Sequence, residues 1–153
     1  MALKADRISL DSMIDFFMNE VAERGGIATI STVGSGAAMD QSVQLATYAA
    51  NPSGKQGLGV LMCDMVNNDL TRVHENWYKE EVQKGGKVTI WNKCTVVTDM
   101  ILPGETPTAG SKAYVAHSGN LATKDVIGGC QQVGIFLSSK DEDGYAKVSI
   151  NLP

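Results

Sequence analysis

The residues equipped for chemistry are few in this chain: two histidines, three cysteines and a scatter of carboxylates among 153 residues. His74 lies beside Glu75, and His117 beside Ser118. A nucleophile needs its base within hydrogen-bond reach. Adjacent residues of an extended strand point to opposite faces, so His117 and Ser118 would not meet there. His74 would reach Cys63 or Cys94 only through a tertiary contact. The cysteines Cys63, Cys94 and Cys130 are widely spaced and form no CxxC. Their odd number argues against a disulfide framework, and a metal site would need a histidine to join them. Cys63 and Cys94 sit in apolar, strand-like runs, where a free thiol packs as a small hydrophobe. No cofactor is expected.

The remaining candidates have plainer readings. Gly54-Lys55 lacks the upstream glycine and the following Ser or Thr of a phosphate loop, and Asn51-Pro52-Ser53-Gly54 has the residues of a turn. Asp64, Asp69 and Asp99 could serve acid–base work or hold calcium. However, Asn67-Asn68-Asp69 is what a turn requires. Asp141-Glu142-Asp143-Gly144 resembles half a calcium loop, but no bidentate Glu follows, so a hairpin turn is expected. Trp77-Tyr78, beside Arg72 and Lys79, could stack nucleobases. Glu75, Glu80 and Glu81 spoil the potential, which favours aromatics packed at a core edge or interface.

The elements that carry these residues read mostly as strands. Ile27 to Val33, Ser42 to Ala50, Gly57 to Val66, Lys87 to Trp91 and Cys94 to Leu102 alternate or run apolar between turn residues. The last third continues with Ala113 to His117, Ser118 to Thr123, Val133 to Leu137 and Tyr145 to Leu152, split by Gly, Asn and Asp in the manner of hairpins. Residues 12–24 are the best helix candidate. Met13, Phe17 and Val21 recur every four residues, as do Ile14, Met18 and Ala22. Asp11 or Ser12 would cap the helix, and Gly25-Gly26 would stop it. A strand over Ile14 to Met18 is the rival. Leu70 to Val82 fits either a short helix or an extended loop. The expected organisation is one mainly β domain, a small barrel or sandwich. Residues 1–26 supply an N-terminal arm and the one short helix, and 27–153 the β-rich body.

Composition bounds the function. Sixteen glycines and only 20% charged residues suit a turn-rich β protein. A net charge of −4 gives no basic footprint for nucleic acid. The longest apolar run falls far short of the roughly 18 residues that span a membrane. The start Met1-Ala2-Leu3-Lys4-Ala5-Asp6-Arg7 lacks the apolar segment of a signal peptide, so cytosolic synthesis is the expectation.

Two stretches together resemble a known family. The first is Gly57-Leu58-Gly59-Val60-Leu61-Met62-Cys63-Asp64-Met65-Val66-Asn67-Asn68-Asp69-Leu70-Thr71, followed by Glu80 to Val88. The second runs Ala109-Gly110-Ser111-Lys112-Ala113-Tyr114-Val115, Gly119-Asn120-Leu121, Val133-Gly134-Ile135-Phe136-Leu137-Ser138 and Asp143-Gly144-Tyr145-Ala146-Lys147-Val148. The succession G-x-x-A-Y-V, G-x-L, V-G-x-F-L, D-G-Y-x-K-V is similar to the head decoration, or cement, proteins of tailed bacteriophages. The resemblance covers residues 57–153. It implies a β-barrel or β-tulip body, trimerisation, binding to the major capsid protein on the virion exterior, and no catalytic residues to carry over. Under that reading the contact surfaces are residues 2–20 and Arg72 to Val82, with Arg7, Ile8, Phe16, Phe17, Arg72, His74, Trp77 and Tyr78 the chosen contacts. Their mixed apolar and charged character is the reason.

The rival readings are another structural virion component (fibre, tail or shell), a β-barrel module binding a carbohydrate or other ligand, and a small enzyme. The binding module would need a cluster of exposed aromatics, and only 6% of residues are aromatic. The enzyme would need convergent His, Asp, Glu or Cys residues.

Overall fold

Alternation decides most of this fold. In Lys93-Cys94-Thr95-Val96-Val97-Thr98 every second residue is buried, and the segment is a strand with one face on a core. The structure is a computed structural model that describes residues 8–9, 13–31, 45–64, 81–82 and 84–153. Its strands are β1 (Ile8–Ser9), β2 (Met13–Met18), β3 (Ala22–Glu23), β4 (Ile27–Ile30), β5 (Leu45–Thr47), β6 (Gly57–Asp64), β7 (Glu81–Val82), β8 (Lys87–Trp91), β9 (Lys93–Thr98), β10 (Lys112–Val115), β11 (Leu121–Ala122), β12 (Gln132–Phe136) and β13 (Ala146–Asn151). Among the described residues the one helical element is a 3-10 turn at His117–Gly119. The chain is mainly β, as expected.

Three sheets result. Strands β2-β5-β4-β6-β8 close a barrel, β1-β9-β13-β12-β10-β11 form a six-stranded sheet, and β3 pairs with β7. At its far edge the sheet curls back, because Leu121 bridges to Ile101 just beyond β9. A single residue, Asn92, separates barrel strand β8 from sheet strand β9.

The helix expected over 12–24 is corrected. Residues Met13–Phe17 pair antiparallel with β8, and Phe17-Met18 pair parallel with Leu45-Ala46 of β5. Both periodicities are present in this segment, so tertiary pairing decides between them. As a strand it supplies hydrogen bonds to two neighbours and closes the barrel, removing two sheet edges. As a helix it would leave both edges open. Its cap candidates, Asp11 and Ser12, lie outside the described residues.

Two apolar cores meet along β6. Leu58 and Leu61 join the barrel core with Met18, Ala28, Ala46, Val88 and Ile90. Val60 and Met62 join the sheet core with Val96, Val115, Leu121, Phe136, Val148 and Ile150. Strict alternation would send Leu58 and Leu61 to opposite faces. A bulge changes the phase: Ala28 pairs with Gly59 and Thr29 with Gly57, leaving Leu58 as the extra residue. Gly59 sits there at φ +146, and a Cβ on it would lie 2.3 Å from the Trp91 carbonyl oxygen. Only glycine fits that backbone and that gap.

Candidate functional site

The chemistry-bearing residues are mostly spent on structure. His117 and Ser118, expected in an extended strand, instead occupy the 3-10 turn, with Ser118 at φ 54. Chain reversal between β10 and β11 needs that geometry. His117 Nδ1 lies 2.6 Å from the Ala50 carbonyl, and the Ser118 amide donates to the Ala49 carbonyl at 2.9 Å. The pair therefore anchors the turn to the segment after β5.

Cys94 and Cys130 are free and buried. Burial pushes the Cys94 thiol up to about 12, far from thiolate chemistry. Cys130 is also raised, first by burial and then by the neighbouring Asp125. The Asp125 carboxylate accepts from the amides of Gly128 at 2.8 Å and Gly129 at 2.7 Å. Desolvation pushes this carboxyl up. The hydrogen bonds from Gly128, Cys130 and Gly129 outweigh that and hold it below the usual range. The same loop grips the Pro52–Lys55 turn: Ser53 Oγ donates to the Gly128 carbonyl at 2.6 Å and the Gly54 amide to the Gly129 carbonyl at 3.0 Å. Gly54-Lys55 is thus part of a docked turn.

Asp141 closes the β12–β13 hairpin, its Oδ1 accepting from the amides of Asp143 at 3.1 Å and Tyr145 at 2.8 Å. This carboxylate serves the turn, as the hairpin reading expects. Glu105 accepts from both the amide and the hydroxyl of Thr123, tying the loop after Ile101 to the end of β11. Asp99 is exposed at the end of β9. Among the described residues, no three His, Cys, Asp or Glu converge to hold a metal ion. No helix among them is long and apolar enough to cross a membrane.

The expected contact residues are placed as follows. Ile8 pairs with Thr95 at the edge of the six-stranded sheet. Phe16 and Phe17 are half-buried in the barrel wall, and Phe16 packs on the barrel core. Ile8 and the two phenylalanines therefore belong to different sheets. Arg7, Arg72, His74, Trp77 and Tyr78 lie outside the described residues, as does Asp69.

The surface that sequence reasoning passed over is the outer face of the six-stranded sheet. Ile135 and Leu137 are 42% and 41% exposed, while Phe136 between them is fully buried. Leu137 directly follows β12 and stays in its alternation, so it shares a face with Ile135 two residues before it. Ile135 stands between Lys112 of β10 and Ser149 of β13. The Leu137 amide donates to the Lys147 carbonyl at 2.7 Å, so Leu137 stands beside Lys147. The signal was present in Ile135-Phe136-Leu137: an apolar run without polar alternation on a strand whose other face is core.

No protein-family model matches the chain, and no curated protein matches it either.

Proposed function

We propose that this chain is a structural virion protein: a decoration, or cement, protein bound to the outer surface of an icosahedral phage head, where it stabilises joints between major capsid subunits. One observation carries the reading. The four motifs of the family-like succession fall on β10, the turn into β11, β12 and β13, which are contiguous in a single sheet. The motifs therefore describe one structural unit. The closed barrel beside that unit agrees with a β-barrel or β-tulip body.

The mechanical logic is that of a clamp. A cement protein must resist separation of the shell subunits it bridges. Cross-strand hydrogen bonding in a closed barrel leaves few free edges, and a core shared with a second sheet couples the two halves. Repeated copies on a shell give avidity without any one large interface. On this reading the partners are the major capsid protein and other copies of the chain, and the site of action is the capsid exterior.

The test is the native mass of the purified chain, then co-sedimentation with empty capsids of its phage. A stable trimer that pellets with capsids supports the role. A monomer without capsid affinity overturns it and favours a ligand-binding module.

A further inference from the structure

We propose that the depression on the outer face of the six-stranded sheet, rimmed by Gln132, Ile135, Ser149 and Asn151, binds one neutral sugar residue of a glycan. The inference stands independently of the virion role.

A bulge builds the depression. Ala113 pairs with Gly134 and Tyr114 with Gln132, which leaves Val133 as the extra residue of β12. Val133 is buried in the sheet core, so its side chain is withdrawn from the outer face. Gly134 has no side chain, and the position tolerates none: a Cβ there would lie 1.9 Å from the Ser149 carbonyl oxygen. Two consecutive positions of β12 thus leave bare backbone as a floor. Gln132 and Ile135 stand exposed at either end of it. Ser149 and Asn151, alternating with the buried Val148 and Ile150, form the side wall on β13. The resulting concavity is about 440 Å³, within the range of small-ligand sites.

The lining chooses the ligand. Its side chains offer two carboxamides, a hydroxyl and aliphatic surface, and no charged group. Carboxamides and hydroxyls both donate and accept, as the hydroxyls of a sugar do. Among the described residues, none holds the Ser149 hydroxyl or the Asn151 carboxamide, and Gln132 Nε2 makes one long contact, 3.5 Å, to the Gly134 carbonyl. These groups are therefore free to bond a ligand. Ile135 supplies an apolar wall for the C–H face of a ring. Tyr114, half-exposed beside Gln132, adds an aromatic edge at the other end. The surrounding charges are of both signs. Lys112 stands beside Ile135, and the acidic hairpin Asp141–Asp143 follows Leu137, while Lys93 and Lys147 have interaction partners of their own. Charge around the depression thus selects neither an anion nor a cation. A nucleotide would need a cation in the lining for its phosphates, and an extended peptide would need separate pockets for alternate side chains. The lining has neither.

The test begins with the full chain, displayed in many copies on beads, applied to an array of neutral, sialylated and sulfated glycans. Amide chemical shifts of the free chain are then followed during titration with methyl glycosides of glucose, galactose, mannose and N-acetylglucosamine. The expected result is retention of neutral glycans, with the largest shifts at residues 132–135 and 149–151. The double variant Ser149→Ala, Asn151→Ala, its fold checked by circular dichroism and thermal melting, should bind at least roughly tenfold more weakly. Leu137→Ala, outside the depression, should bind as the parent does. No glycan retained, retention of anionic glycans alone, shifts centred elsewhere, or equal binding by the double variant would each overturn the proposal. Equal losses in Leu137→Ala and the double variant would also refute it, because the ligand would then lie across the apolar row of Ile135 and Leu137. Capsid co-sedimentation is a separate readout, so failure of either reading leaves the other standing.

Discussion

The ring of Tyr48 occupies the space that a side chain on Gly119 would need: a Cβ there would lie 2.6 Å from Tyr48 Cδ1. Gly26 closes the other approach, with a Cβ 2.9 Å from Tyr48 Cζ. The hydroxyl accepts from the Gly26 amide at 3.0 Å and donates to the Glu23 carbonyl at 2.7 Å. Glu20 accepts from the Tyr48 amide at 2.7 Å. Tyr48 leaves the barrel after β5, and Gly119 belongs to the turn of the six-stranded sheet. One buried ring therefore joins the two halves, and its burial holds the phenol far above its ordinary ionisation range.

Tyr48→Phe keeps the ring but strands a buried amide and a carbonyl. It should cost about 1–3 kcal/mol, read as a lower urea midpoint at unchanged slope. Gly119→Ala meets both the ring and a φ of +78. It should cost about as much again. A midpoint within error of the parent for both variants would contradict the joint described here.

Gly59→Ala tests the bulge on which both cores depend. Its Cβ would meet backbone, not a movable side chain, at 2.3 Å. The loss should reach about 3 kcal/mol or more, visible as a drop in Tm of many degrees. Leu58→Ala nearby removes core volume alone and should cost about 2–5 kcal/mol without altering strand pairing. Amide chemical shifts across β4 and β8 would separate the two cases.

Acid should loosen the loop that follows Ile101. Hydrogen bonds from the Thr123 hydroxyl and amide, with smaller help from Lys124 and Lys140, hold the Glu105 carboxyl below its ordinary value of 4.5. A folded-state value that is depressed adds stability above the unfolded value, and that stability is lost as pH falls through the folded value. Urea midpoints measured from pH 7 down to pH 3 should therefore fall less steeply for Glu105→Gln than for the parent. Parallel curves would show that Glu105 contributes nothing to acid sensitivity.

Cys94 should resist alkylation. Its thiol is buried, faces the Trp91 carbonyl at 3.9 Å, and is pushed up to about 12. Iodoacetamide at pH 8 should leave Cys94 unmodified in native protein and modify it fully in urea, as read by peptide mass spectrometry. Rapid native labelling would mean that the sheet core opens readily.

Strand identity was legible where burial on one face is regular. Lys87 to Trp91 is a strand over the same residues in sequence and structure, and β10, β12 and β13 lie within two residues of the expected boundaries, while β9 ends at Thr98, four residues before the expected Leu102. Those segments alternate cleanly or run apolar between turn residues, so local pattern and tertiary burial agree. Residues 12–24 broke the agreement because they satisfy both the helical and the strand period. The role of Tyr48 was hidden, since it reads as one more position in the alternating run Ser42 to Ala50. Its partners, Gly26 and Gly119, are 22 and 71 positions away (48 − 26 and 119 − 48), and nothing local marks such contacts.

By itself, then, the sequence determined a mainly β chain, turns such as those at Asn51–Gly54 and Asp141–Gly144, and the packing of Cys94 as an apolar group. These follow from side-chain period, turn chemistry and solvation, all of which act within a few residues. Tertiary structure alone decided that β2 closes a barrel, that β6 serves two cores through the bulge at Gly59, and that Ile135 and Leu137 face outward beside lysines. Those outcomes depend on which strands become neighbours, and the free energy of such pairing is set by contacts between residues distant in the chain.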